Sequence, residues 1–253
     1  MPVFTLSRSF LSLIFVLGIN GLILSGAQAQ IGPAVRQVIV ARAANWNSNT
    51  ANLQAYQRSS SRAAWQPVFA KPVPVLLGRS GLAWGRGVFT PLQNGVPWKI
   101  EKDGRAPAGV FQLGRLFGYA ATPPTGTCWP YHQVGQWDAY VDDPNNKYYN
   151  QHYRADPRNV PPWFEKQRMR LGDAAYKWML EIRHNQGPAV PGYGSAIFFH
   201  VRRGPAKPSA GCTTMALDNL ELLIGWLDPA ASPHYVLLPQ ADYDFLRPGW
   251  KLP

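Results

Sequence analysis

Cysteine is scarce in this chain: among 253 residues only Cys128 and Cys212 occur. Two thiols cannot build the multi-bridge framework of a small secreted scaffold. They leave either one bridge, or one reactive thiol beside a spare. Cys-x-x-Cys and His-x-x-x-His pairs are absent, so no metal site is expected. Internal repeats and linker-like shifts in composition are missing too, which favours one domain over two.

Acidic side chains are few, 14 against 25 Lys and Arg, and the net charge is +11. Such a balance points to an anionic partner or surface, or simply to solubility. The basic residues are scattered rather than striped, so nucleic acid is not an expected partner. An anionic cell-wall polymer or phospholipid surface fits better.

The apolar run from Phe10 to Leu24 is short for a bilayer span and is broken by Ser12, Gly18, Asn20 and Gly21. Arg8 precedes it, and Ala27-Gln28-Ala29 follows with the small-x-small pattern of a signal-peptidase site. Residues 1–29 are therefore expected to be a cleaved export signal, with no lasting membrane insertion. No cysteine follows the run to carry a lipid. Residues 30–253 form the expected single mature domain, at net charge +10 once Arg8 is lost.

What is present is ample core: 46% of residues are hydrophobic and ten are tryptophan. Short apolar segments separated by turn residues dominate the first half. They are Gln37–Val40, Leu53–Tyr56, Trp65–Phe69, Val73–Leu77, Leu82–Trp84 and Val110–Leu113. That spacing predicts antiparallel β-structure. Residues 122–162, rich in Pro, Asn, Asp and Tyr, read as a long loop, either functional or a surface excursion. Tyr176, Trp178, Leu180 and Ile182 alternate with Lys177, Met179, Glu181 and Arg183, the period of a half-buried strand. Ser195–Val201 is a second, more apolar strand, and Tyr235–Leu238 a closing one. Between them Leu217, Leu220, Leu223, Ile224 and Leu227 share one helical face, with Asp218 and Glu221 near the helix start. The fold class is mainly β with a few helices.

The segment from His200 to Cys212 carries the chemistry. An apolar strand ends in His200, a basic Pro/Gly-rich loop follows, and Ser209-Ala210-Gly211 leads to Cys212 just before the expected helix. A thiol acts as nucleophile only as thiolate, so it needs a base or a positive field nearby. The loop can return sulfur to imidazole, and the helix dipole would add its positive end. The N–H groups of Gly211 and Cys212 are candidate oxyanion donors, with Gly211 allowing close approach. A Cys128–Cys212 bridge would consume the nucleophile, so Cys128 is expected to be a separate thiol.

The blocks Gly194-Ser195-Ala196-Ile197-Phe198-Phe199-His200 and Ser209-Ala210-Gly211-Cys212 resemble the active-site signature of the L,D-transpeptidase (YkuD-type) catalytic domain family. Upstream, Asp103 to Phe111 resembles that family's substrate-side turn and strand. Val141-Asp142-Asp143-Pro144, Tyr149-Asn150 and His184-Asn185 are similar to a branch of exported members. The resemblance covers roughly residues 35–240. It implies that Cys212 attacks a peptidoglycan stem tetrapeptide, forming a thioester, with His200 as proton acceptor and donor. A second stem's amine would then complete an L,D cross-link, without metal or cofactor. The same thioester resolved by water would make an L,D-carboxypeptidase or cross-link hydrolase, and a non-catalytic wall-binding module is the other class. Arg202, Arg203 and Asn185 are the expected substrate contacts, and a monomer in the periplasm or at the cell-envelope exterior is expected. Many members carry histidine where this chain has Ala210, arginine at Thr214, and a longer loop.

Overall fold

The computed structural model describes Met1 and residues 30–89, 95–169 and 172–253. The expected export signal therefore lies outside the described residues apart from Met1. Among the described residues no helix is long and apolar enough to cross a membrane.

The strands, in chain order, are β1 (Gln37–Ala43), β2 (Thr50–Gln57), β3 (Gln66–Pro67), β4 (Val73–Leu76), β5 (Leu82–Trp84), β6 (Ala106–Gly118), β7 (Tyr131–Gln133), β8 (Asp138–Tyr140), β9 (His152–Arg154), β10 (Trp178–Ile182), β11 (Phe198–Val201), β12 (Thr213–Met215) and β13 (His234–Pro239). Helices are α1 (Phe164–Gln167), α2 (Leu217–Trp226) and α3 (Gln240–Trp250). The main sheet runs β1-β13-β6-β10-β11-β12-β4-β2, and β2 pairs back onto β1. The sheet thus closes like a barrel, which removes most free edges. It is mixed: β1/β13 and β11/β12 are parallel, whereas β1/β2, β6/β10 and β6/β13 are antiparallel.

Side-chain alternation builds the core. Successive residues of a strand face opposite sides of the sheet. On β11, Phe199 points into the main core and meets Tyr235 of β13, with ring centroids 4.6 Å apart. Tyr235 also reaches Thr213 of β12 through a 2.8 Å hydroxyl–hydroxyl bond. Phe198 faces the other way and joins a second cluster with Phe117, Val134, Tyr140, Met169 and Met179. The expected half-buried strand at 176–183 is shorter, and Met179 on its polar-reading face is buried. The reason is tertiary, because the excursion after β6 folds over this outer face. That excursion is not structureless: it contains β7, paired with β6, and the β8–β9 hairpin.

The helical face read from the sequence packs as expected, with Leu220, Leu223 and Ile224 of α2 buried. Its acidic residues divide: Asp218 sits in the first turn, whereas Glu221 accepts hydrogen bonds from Trp178 Nε1 at 2.8 Å and Lys177 Nζ at 3.1 Å. Helix α3 has no counterpart in the sequence reading. Its Tyr243, Leu246 and Trp250 are buried, and it rests against β1 and β13.

Candidate active site

Parallel pairing of β11 with β12 sets the geometry of the site. His200 lies directly opposite Thr214, and Phe199 opposite Thr213. With Phe199 and Thr213 turned inward to Tyr235, His200 and Thr214 must face outward. Cys212, two residues before Thr214, falls on that same outer side and packs with the Phe198 cluster. Both expected catalytic side chains therefore emerge on one face of two neighbouring strands.

The turn before Cys212 is held firmly. Ser209 N–H donates to Leu77 O at 2.8 Å, and Arg79 N–H donates to Ser209 O at 2.9 Å, tying the loop to the end of β4. The Ser209 hydroxyl donates to Cys212 O at 2.6 Å and accepts from Gly211 N–H at 3.0 Å. This corrects the expected pair of oxyanion donors: Gly211 N–H already has a partner. Glycine nonetheless suits position 211, since a Cβ there would stand 3.0 Å from Arg105 O and 3.2 Å from Ile197 Cδ1 and would need those neighbours to give way.

A strand also separates the cysteine from the helix. Because β12 stands between Cys212 and α2, the thiol does not sit at the helix start as the sequence suggested. Its electrostatics agree. Burial pushes the Cys212 thiol up to about 11, against smaller opposing effects from Phe198 N–H, Lys99 and Arg203. The thiol donates to Ala196 O at 3.6 Å. Ala196 adopts φ +52°, a left-handed backbone unusual for a side-chain-bearing residue. Buried Asn150 holds it there, taking Ala196 N–H on Oδ1 at 3.0 Å and donating through Nδ2 to His184 O and Asn185 O. Asn150 is thus a positioning residue for the thiol's partner. The sequence marked it only through family resemblance.

His200 is buried, 6% exposed, and burial lowers its imidazole to about 4. Nδ1 lies 2.9 Å from Val201 O, so Nδ1–H donates to a backbone carbonyl and Nε2 is left with its lone pair. That carbonyl orients the imidazole, and the Ala175 carbonyl is a second backbone group acting on the ring. Tyr176 covers the ring, edge to face, with centroids 5.2 Å apart. At neutral pH the resting pair is consequently a neutral thiol and a neutral imidazole.

Cys212 opens into a pocket of about 330 Å³ lined by Tyr140, Met169, Tyr176, Met179, Ala196 and Phe198. Its cations come from Lys166 and Arg168, around the end of α1. Sequence reasoning missed these two, which carry no local pattern and reach the site only because the excursion folds back. The arginines chosen from the sequence do not line the pocket. Arg203 pairs with Asp173 at 2.7 Å and stacks over Tyr176, while Arg202 N–H bonds Met215 O. Asn185 is buried, with its side chain spent on Val190 and Gly194; it holds its own loop. Lys99, also missed, is 3% exposed and pairs with Asp103 at 2.7 Å close behind Gly211. Cys128 and Cys212 are both free, the former exposed.

Compared with known families, the chain matches the L,D-transpeptidase catalytic domain profile (YkuD) over residues 47–236. This chain belongs to the L,D-transpeptidase catalytic domain family. No curated protein and no solved structure gave a significant match. The matched span takes in β2 through the first half of β13, and with them both His200 and Cys212. The family acts on peptidoglycan, so the L,D-transpeptidase-type domain assigned here is a peptidoglycan-modifying one. The Cys212 pocket is its candidate active site.

Proposed function

We propose that this protein is an exported peptidoglycan L,D-transpeptidase acting through a Cys212 thioester. The observation that carries the reading is the shared outward face of His200 and Cys212, with His200 Nδ1–H fixed on Val201 O. That tautomer presents Nε2 as a base. In the proposed sequence, His200 Nε2 takes the Sγ proton as sulfur attacks the carbonyl of the stem tetrapeptide's third residue. The C–S bond forms, the C–N bond to the terminal D-alanine breaks, and His200 returns the proton to the leaving amine. The amine of a second stem, deprotonated by His200, then attacks the thioester, releasing thiolate that is reprotonated as the cross-link forms. Negative charge developing on the carbonyl oxygen is assigned to Cys212 N–H, given that Gly211 N–H serves Ser209. Lys166 and Arg168 are the proposed contacts for stem carboxylates. The proposed location is the periplasm or cell-envelope exterior, reached through the residue 1–29 signal.

The test incubates mature protein with tetrapeptide muropeptides and resolves products by mass. Cross-linked dimers are expected from wild type, and their loss by several orders of magnitude in rate from Cys212→Ala. Tripeptide alone would assign water as the acceptor and replace transpeptidation by hydrolysis. Identical products from wild type and Cys212→Ala would end the thiol mechanism.

A further inference from the structure

The excursion between β6 and β10 brings together three residues from three separate strands, outside the Cys212 pocket. His132 from β7 and His152 from β9 both place Nε2 against one oxygen of Asp138, at the start of β8. The distances to Oδ1 are 2.9 Å for His132 and 2.8 Å for His152. One donor atom from each of the three residues lies within 4.8 Å of the others. The second carboxylate oxygen is already oriented, accepting Gly135 N–H at 2.6 Å. Asp138 is 3% exposed, whereas the histidine side chains keep 21% and 19% exposure.

We propose that His132, Asp138 and His152 form a divalent-cation site of the zinc class that ties β7, β8 and β9 together. Two imidazole nitrogens and a carboxylate oxygen are a borderline-soft donor set suited to Zn²⁺, with the fourth position left to water. Bonds of about 2.0–2.1 Å at tetrahedral angles separate ligand atoms by roughly 3.3 Å. The two N···O spacings of 2.8–2.9 Å would widen by a few tenths of an ångström, and all three ligand atoms already lie within 4.8 Å of one another. Each imidazole would exchange its Nε2–H···Oδ1 hydrogen bond for the cation by moving its proton to Nδ1. The Gly135 N–H bond provides the outer-shell support that holds a ligating carboxylate in place. Access is available, since His152 lines two surface pockets, each shared with the Glu181 carboxylate.

The same three segments back the active-site wall. Phe117 packs against both histidines, at 5.8 and 5.1 Å between ring centroids, and against Phe198 at 6.3 Å. Tyr140, two residues beyond Asp138, lines the Cys212 pocket. A bound cation thus braces the wall without touching the reacting atoms. The inference does not depend on the acyl-transfer reading.

Zn²⁺ titration of the mature Cys128→Ser/Cys212→Ser protein by calorimetry tests it, because that background removes both thiols as competing ligands. One equivalent is expected to bind, and His132→Ala and His152→Ala should each weaken binding on the order of a hundredfold or more, at least the loss typical of disturbing a ligand's support. His132→Asn can still offer a hydrogen bond to Asp138 but is a poor ligand. Its folded state, checked by circular dichroism, should show no Zn²⁺-dependent rise in Tm, whereas the parent protein should. Absence of binding to the parent, or unchanged affinity in both alanine variants, would overturn the site. Binding of Cu²⁺ without Zn²⁺ would overturn the zinc assignment.

Discussion

The imidazole of His200 lies beneath Tyr176, at a ring separation of 5.2 Å and an interplanar angle of 67°. Arg203 stands 4.9 Å over the same tyrosine ring and is anchored by Asp173. The proposed base is therefore kept dry by a side chain that also lines the nucleophile's pocket.

Removing that cover should move the base. His200 must be neutral to accept a proton, so activity falls as pH drops through its pKa, which burial holds at about 4. Tyr176→Ala admits water, lessens the desolvation and raises that pKa toward the ordinary histidine range, by roughly one unit or more. The acid limb of kcat/KM should shift upward in pH by the same amount, with activity at pH 5 falling relative to pH 7.5. Tyr176→Leu retains apolar cover and should leave the limb near its wild-type position. An unmoved limb in Tyr176→Ala would show that Tyr176 does not set the base.

The resting thiol should behave as a thiol. With Cys212 near 11, its thiolate fraction rises about tenfold per pH unit through the neutral range. In Cys128→Ser protein, the rate of alkylation by iodoacetamide should climb steadily from pH 6 to pH 9. A plateau near neutrality would instead reveal a preformed thiolate–imidazolium pair and contradict the neutral resting state.

Acid should weaken the fold well above the carboxylate range. His184, fully enclosed, donates Nε2–H to Tyr193 O at 2.8 Å and accepts Arg86 N–H on Nδ1 at 3.2 Å. Burial lowers it to about 3 and lowers His200 to about 4. Between these values and the unfolded value near 6.5, the unfolded chain binds more protons than the native one, so stability falls as pH falls. From pH 7 to pH 5 each histidine should remove about 2 kcal/mol, measured from urea unfolding midpoints. Asp138 does not act in this window: despite its burial, Gly135 N–H and the two histidines hold its carboxyl below the usual range. A midpoint unchanged between pH 7 and pH 5 would refute the assignment.

Much of this site was legible locally. The strand carrying His200, the turn of small residues at Ser209–Gly211 and the helical face of α2 all lie within runs whose local pattern reports their own structure. Electrostatic detail was not. Whether Gly211 N–H is free depends on one hydroxyl, Ser209 Oγ, and the depth of burial of Cys212 depends on the excursion after β6. The cations facing the pocket could not be picked from sequence either, since Lys166 and Arg168 look no different there from Arg202 and Arg203.

By itself the sequence determined a β-rich chain and the strand carrying His200, and it singled out His200 and Cys212 as candidates. Each of these is written in alternation, turn residues or short motifs, which act over a few positions. Only the tertiary structure decided that the sheet closes, that Met179 is buried, that Asn150 turns Ala196 O toward the thiol, and that His132, Asp138 and His152 converge. Those outcomes arise from contacts between separate elements of the fold, and local periodicity carries no record of which elements will meet.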